Sequence, residues 1–244
     1  MSTLTIPPVI PSPREDGIKL HKAFKGLGCD TSKVIKILSH RDVEQRSLIQ
    51  QEYETNYSEL LSKRISKELH GHVKKAMSLW LYDPPARDAK IARKALTTPV
   101  VDNQAITEVI CSRTPSQIRR TKEVYLSTYH SALEKDIENY TNGDHKKAIK
   151  KETSGSFQSA LLTILRCAID PAMYFAKILR KSMKGVGTND KRLIRIIVTR
   201  TEIDMCQIKI AYYKKYGKPL THDVRSDTSG HYKDFLLNLI GSDY

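Results

Sequence analysis

RDVEQRSLIQQEYETNYSELLSKRISKELHG, residues 41–71, recurs in outline twice more along the chain. An Arg is followed by a Tyr twelve residues on, a second Tyr after four more, and a Gly after another fourteen. The copies are Arg41, Tyr53, Tyr57, Gly71; Arg113, Tyr125, Tyr129, Gly143; and Arg200, Tyr212, Tyr216, Gly230. Agreement at four positions in three copies marks a repeat protein, each repeat being one supersecondary unit.

Upstream of each Arg, apolar residues fall at helical spacing: Val34, Ile35, Ile37, Leu38; Ile106, Val109, Ile110; Leu193, Ile194, Ile196, Ile197. Intervals of three and four put them on one face of a helix turned to a core. Asp30, Asp102 and Asn189 stand just before these helices, where a short side-chain oxygen can accept the orphan amides of a first turn. Downstream of each Arg a second helix carries the paired tyrosines one turn apart, as core or interface residues. The Gly then interrupts the chain before a further apolar helix such as Val73–Leu81. Each repeat therefore reads as about five short helices in roughly seventy residues, and the fold class is all-α. Arg41 and Arg113 are 72 residues apart, but Arg113 and Arg200 are 87 apart. The surplus holds a second hinge, Thr153-Ser154-Gly155, with no Arg and Tyr pair at the proper distance before it. It reads as the tail of a fourth repeat.

Hydrophobic residues make up 39% of the 244, enough for a sizeable core, and the net charge is +14. Such an excess favours anionic partners, either nucleic acid or the acidic face of a membrane. Four cysteines without a CxxC pair suggest neither a zinc cluster nor a disulfide framework. No apolar run approaches the ~20 residues that span a bilayer; Ala160–Ile169 is broken by Arg166. The leader, with Pro7, Pro8, Pro11 and Pro13, does not read as a secretory signal. A reducing, cytoplasmic setting is the expectation.

Two loops open with glycines just before a capped helix: Lys25-Gly26-Leu27-Gly28-Cys29 and Lys184-Gly185-Val186-Gly187-Thr188. Thirty-eight residues separate the two Gly-x-Gly-x stretches from Glu68 and Asp227 respectively, each three residues before a hinge Gly. Glycines let backbone carbonyls turn outward and converge. Calcium takes six to eight oxygens, mixing carbonyls, a carboxylate and water, and a lipid phosphate can fill positions left open. The same register in the second repeat holds Thr98, Val100 and Tyr140, so that loop is expected to bind no metal. The orphan hinge keeps Glu152 without a glycine loop and is expected to bind little.

This constellation resembles the calcium site of annexins, in particular the plant-type branch. Residues 185–188 with Asp227 match the family pattern in full, and the first site departs only by Cys29 in place of Thr. The resemblance implies that Phe24, Gly26, Gly28 and Glu68, then Met183, Gly185, Gly187 and Asp227, hold calcium ions. It implies four repeats arranged as a slightly curved disc, of which this chain is a shortened form. The expected division is a leader at 1–12, a repeat with a calcium site at 13–84, and a repeat without one at 85–149. A remnant of a truncated repeat follows at 150–169, then a C-terminal repeat with a calcium site at 170–244. The function implied is calcium-dependent binding to anionic phospholipid, with the protein cytoplasmic and peripheral on membranes when calcium rises. It is expected not to be an enzyme. Three rival activities stand below this reading. His40 occupies a place where plant-type annexins have been proposed to carry haem-linked peroxidase activity. Ile194-Arg195-Ile196 resembles a short actin-binding tripeptide. The basic charge alone would give nucleic-acid binding of no sequence specificity, weakened steeply by salt.

Overall fold

The computed structural model describes residues 1–25, 28–142, 167, 169–185 and 187–243. The second hinge, Glu152 and the truncated remnant lie outside them, except for a few residues at the remnant's end. The described residues form fourteen α-helices and no strand.

The first repeat contains α1 (Pro13–Ala23), α2 (Thr31–Leu38), α3 (Val43–Tyr57), α4 (Leu61–Glu68) and α5 (Gly71–Trp80). The second contains α6 (Pro84–Leu96), α7 (Asn103–Cys111), α8 (Pro115–Tyr129) and α9 (Leu133–Asn142). The last contains α10 (Pro171–Met183), α11 (Asp190–Arg200), α12 (Met205–Tyr216), α13 (Leu220–Asp227) and α14 (Gly230–Ile240).

The helix starts follow from local chemistry. Asp30, Asp102 and Asn189 each accept a hydrogen bond from the amide three residues on, as their short polar side chains predict. The hinge glycines Gly71 and Gly230 have φ of +61° and +56°, a left-handed conformation that only glycine enters without strain. The helix expected over Val73–Leu81 therefore begins earlier, at Gly71 itself.

The chain forms two compact units: Met1–Asp83 with Phe175–Tyr244, and Pro84–Tyr174. In the first, α14 packs on α2, α5 and α11, joining the first repeat to the last. Leu20, Val34, Leu38, Trp80, Leu193, Ile197 and Leu239 fill this core without solvent exposure. Each such side chain contributes about 1.5–3 kcal/mol by leaving water. Arg46 seals the same junction: its guanidinium lies 3.7 Å from the Trp80 ring centroid and holds Glu202 at 3.1 Å through both terminal nitrogens. The leader runs along the last repeat, where the Thr3 amide donates to the Thr201 carbonyl and its hydroxyl to the Leu239 carbonyl. In the second unit α6 packs against α7, α8 and α9, over Ala92, Leu96, Ile106, Val109 and Tyr125.

The repeat signature is structural. Tyr53, Tyr125 and Tyr212 are fully buried, and each meets its partner tyrosine at a ring-centroid distance of 4.9 Å. Arg41 forks onto Asp16 and Arg113 onto Asp88, each pair 25 residues apart. In the last repeat the equivalent of Asp16 is Phe175. Arg200 therefore lies over that ring, 4.5 Å from its centroid, and takes its carboxylate from Asp204 one turn on.

Candidate metal centre

Three inter-helix loops share one frame. The Asp30 amide donates to the Ala23 carbonyl at 2.8 Å, Asp102 to Ala95 at 3.0 Å and Asn189 to Ser182 at 2.7 Å. This bond pinches each loop shut and pushes the intervening residues outward. In the first and last repeats glycine lets the backbone exploit that freedom: φ is +102° at Gly28, +122° at Gly185 and +82° at Gly187. A Cβ at any of the three would meet nothing within 4 Å, so these bends face solvent and the glycines serve the backbone conformation rather than packing. Gly26 lies outside the described residues.

In the first repeat the Phe24 carbonyl and the Glu68 carboxylate converge on a single point. That point is occupied by Nη2 of Arg64, 3.0 Å from the Phe24 oxygen and 3.0 Å from Oε1 of Glu68. Glu59 lies 3.8 Å from the other terminal nitrogen, and the guanidinium carbon is 5.8 Å from the Phe24 ring centroid. Cys29, at the register of Thr188, has its thiol pKa raised by burial, with Glu68 and Asp30 adding to the effect.

In the last repeat the loop and the acid also meet. The Thr188 hydroxyl reaches the Asp227 carbonyl and its carboxylate, both at 3.3 Å. Met183 ends α10 immediately before the bend and Asp227 ends α13. Among the described residues the Asp227 carboxylate is met by the Thr188 hydroxyl and pairs with no Lys or Arg. A groove of about 490 Å³ runs beside this loop, lined by Gly187, Thr188, Asn189 and Asp190 with His72, Lys75 and Lys191.

The second repeat departs as its residues require. Thr98 and Val100 are not among the positive-φ positions. The Thr98 hydroxyl instead donates to the Ala95 and Val100 carbonyls, engaging the Val100 oxygen at the register of Gly28. The acid register holds Tyr140.

Among the described residues no three His, Cys, Asp or Glu side chains gather into a metal-binding cluster. A cation here would be held chiefly by carbonyl oxygens with one carboxylate, a donor set that fits calcium and not zinc. The pattern is traceable in the sequence through the glycine loops taken with an acid at a fixed distance in the repeat register. Arg64 was missed, although the repeat register exposes it. The equivalent residues are Asp136 and Asp223, which accept hydrogen bonds from Tyr125 with Arg93, and from Tyr212 with Arg180.

The residues of the rival activities are placed as follows. His40 is half-buried, with Nδ1 2.9 Å from the Lys36 carbonyl and 3.0 Å from the Ser39 hydroxyl. It borders a mainly apolar groove of about 540 Å³ beneath leader residues Ile6 to Val9. Ile194, Arg195 and Ile196 are buried in α11. Among the described residues no helix is long and apolar enough to cross a membrane.

Comparison with known proteins gives a consistent result. A family model described as Annexin matches residues 16–80, 87–149 and 174–239. Annexin D5 of Arabidopsis thaliana is 42% identical, with 99% of each chain covered. That alignment is 313 positions long against a chain of 244 residues, so the relative carries positions with no counterpart here. Human Annexin A13 is 32% identical over 92% of this chain and 94% of its own. A solved structure of annexin III superposes with a TM-score of 0.92 at 27% identity, covering 100% of this chain and 98% of that one.

Proposed function

The chain belongs to the annexin family, and on that premise we propose that it attaches reversibly to anionic phospholipid through calcium. Phe24, Gly26, Gly28 and Glu68 hold one ion, and Met183, Gly185, Gly187 and Asp227 hold a second. The observation that supports this best is the convergence of the Phe24 carbonyl and the Glu68 carboxylate on one cationic nitrogen at 3.0 Å. A calcium ion contacts oxygen at about 2.3–2.6 Å, so a small inward shift would bring these two oxygens to contact distance of an ion in that place.

One carboxylate per loop leaves most of the coordination shell to carbonyls and water. Affinity is then weak in solution and rises when a lipid phosphate replaces water. The chain supplies the rest of the attraction through its cations. Lys75, Lys191 and His72 beside the last loop face the same headgroups, and each Lys adds about 1 kcal/mol near an anionic surface. Charge alone therefore retains a salt-sensitive fraction, because exposed charges are screened over ~8–10 Å.

Co-sedimentation with phosphatidylserine vesicles tests the reading. Binding is expected to need both the anionic lipid and calcium, and Glu68→Ala with Asp227→Ala should release most of the calcium-dependent fraction. Undiminished calcium-dependent binding by the double variant would overturn the site assignment. Calcium-independent retention that titrates away with salt, on vesicles and on nucleic acid alike, would point to charge alone.

A further inference from the structure

Resting on that reading of the loops, we propose that Arg64 is a resident counter-cation of the first-repeat site, and that calcium must displace it to bind there. The geometry carries the case. A single guanidinium nitrogen bridges the Phe24 carbonyl and the Glu68 carboxylate, two of the oxygens the ion needs. Both side chains are about three-quarters shielded from solvent, so the pair is less screened than an open surface bridge.

The chain's own repeats show what is unusual. At the register of Arg64, Asp136 and Asp223 instead each pair with one buried tyrosine and one partly exposed arginine. In the first repeat both members differ: Arg64 stands in the aspartate's place and His21 in the arginine's, its ring stacked on Tyr57 at 3.7 Å between centroids. With an arginine in the aspartate's place, the inward position would offer the guanidinium an imidazole and a tyrosine ring but no carboxylate to pair with. Burial lowers the His21 pKa, and Lys25 and Arg64 lower it further. The guanidinium instead turns toward the loop, where oxygens face it. Asp227 has only the Thr188 hydroxyl, and no such competitor among the described residues. Calcium entry is thus an exchange of cations in the first repeat and a simple addition in the last. The two sites fill in sequence, the last repeat first.

The exchange is tested by direct calcium titration calorimetry on the full chain. Asp227→Ala isolates the first site, and Glu68→Ala isolates the last. Adding Arg64→Gln to Asp227→Ala should tighten calcium binding about two- to fivefold, the effect of removing a partly shielded ion pair. Adding it to Glu68→Ala should change nothing. Arg64→Lys, which keeps the charge but loses the fork, should fall between Gln and the parent. A circular-dichroism melt of each variant establishes that it folds. Equal calcium affinity with and without Arg64→Gln in the Asp227→Ala parent overturns the counter-cation. So does a first site in the wild-type background that fills before the last. If neither parent binds calcium, the site assignment itself fails and this inference falls with it.

Discussion

At the scale of single residues, the buried charges are the sensitive points. Arg41 and Asp16 are 4% and 1% exposed and grip one another through two hydrogen bonds. Arg41→Met strands the Asp16 carboxylate in the core and is expected to cost about 3–5 kcal/mol. Urea unfolding checks it, and Asp16→Asn in the same chain should return much of the loss. A loss under 1 kcal/mol would show that water reaches the carboxylate. The arginine was legible in the sequence as a repeat position, but its partner was not. Asp16 and Asp88 share an interval of 25 with their arginines, whereas Phe175 and Asp204 solve the same problem by stacking and by a one-turn bridge. A spacing rule cannot anticipate two different answers to one buried charge. Arg64 escaped for a related reason. A basic residue on a short helix looks solvated until the oxygens around it are known.

At the scale of elements, the glycine loops and the helix caps were legible, because both depend on residues close in the chain. The ends of the tyrosine-bearing helices were less so. α3 and α8 end in the left-handed region at Ser58 and His130, and α12 ends there at Gly217. All three hold the same register, so the last repeat carries the residue that the geometry prefers. Ser58→Gly and His130→Gly should each raise stability by about 0.5–1 kcal/mol, seen as a higher thermal midpoint with calcium binding unchanged. Destabilisation by either would show that its side chain holds the turn more strongly than the backbone resists it.

At the scale of the whole molecule, titration sets the pH range of stability. Burial would raise the pKa of Asp136 and Asp223, but hydrogen bonds from tyrosine and the nearby arginines outweigh it and hold both below the ordinary 3.8. Their contribution is therefore complete above about pH 4 and is lost as pH falls through the lower folded values. His21 is also lowered, chiefly by burial, from 6.5. Being favoured in its neutral form, it contributes above that value and loses its contribution on acidification below it. Burial pushes Tyr53 and Tyr125 up to about 12 from 10. The folded state keeps those protons longer, so their contribution is full below pH 10 and vanishes between 10 and about 12. Melting followed by circular dichroism should show a plateau from near neutrality to pH 10, a shallow decline below 6.5 and a steep one below 4. A midpoint independent of pH between 10 and 12 would contradict the tyrosine assignment. The helical repeats and the two glycine loops could be read before any coordinates. The union of the first repeat with the last could not, because pairing between segments so distant leaves no local trace. That union bears on how the protein is made. Arg46 meets its carboxylate 156 residues downstream, so the opening third of the chain leaves the ribosome with a charged, apolar flank that nothing yet covers. A nascent chain stalled before residue 175 would present that flank to chaperones, and release of the final seventy residues would withdraw it.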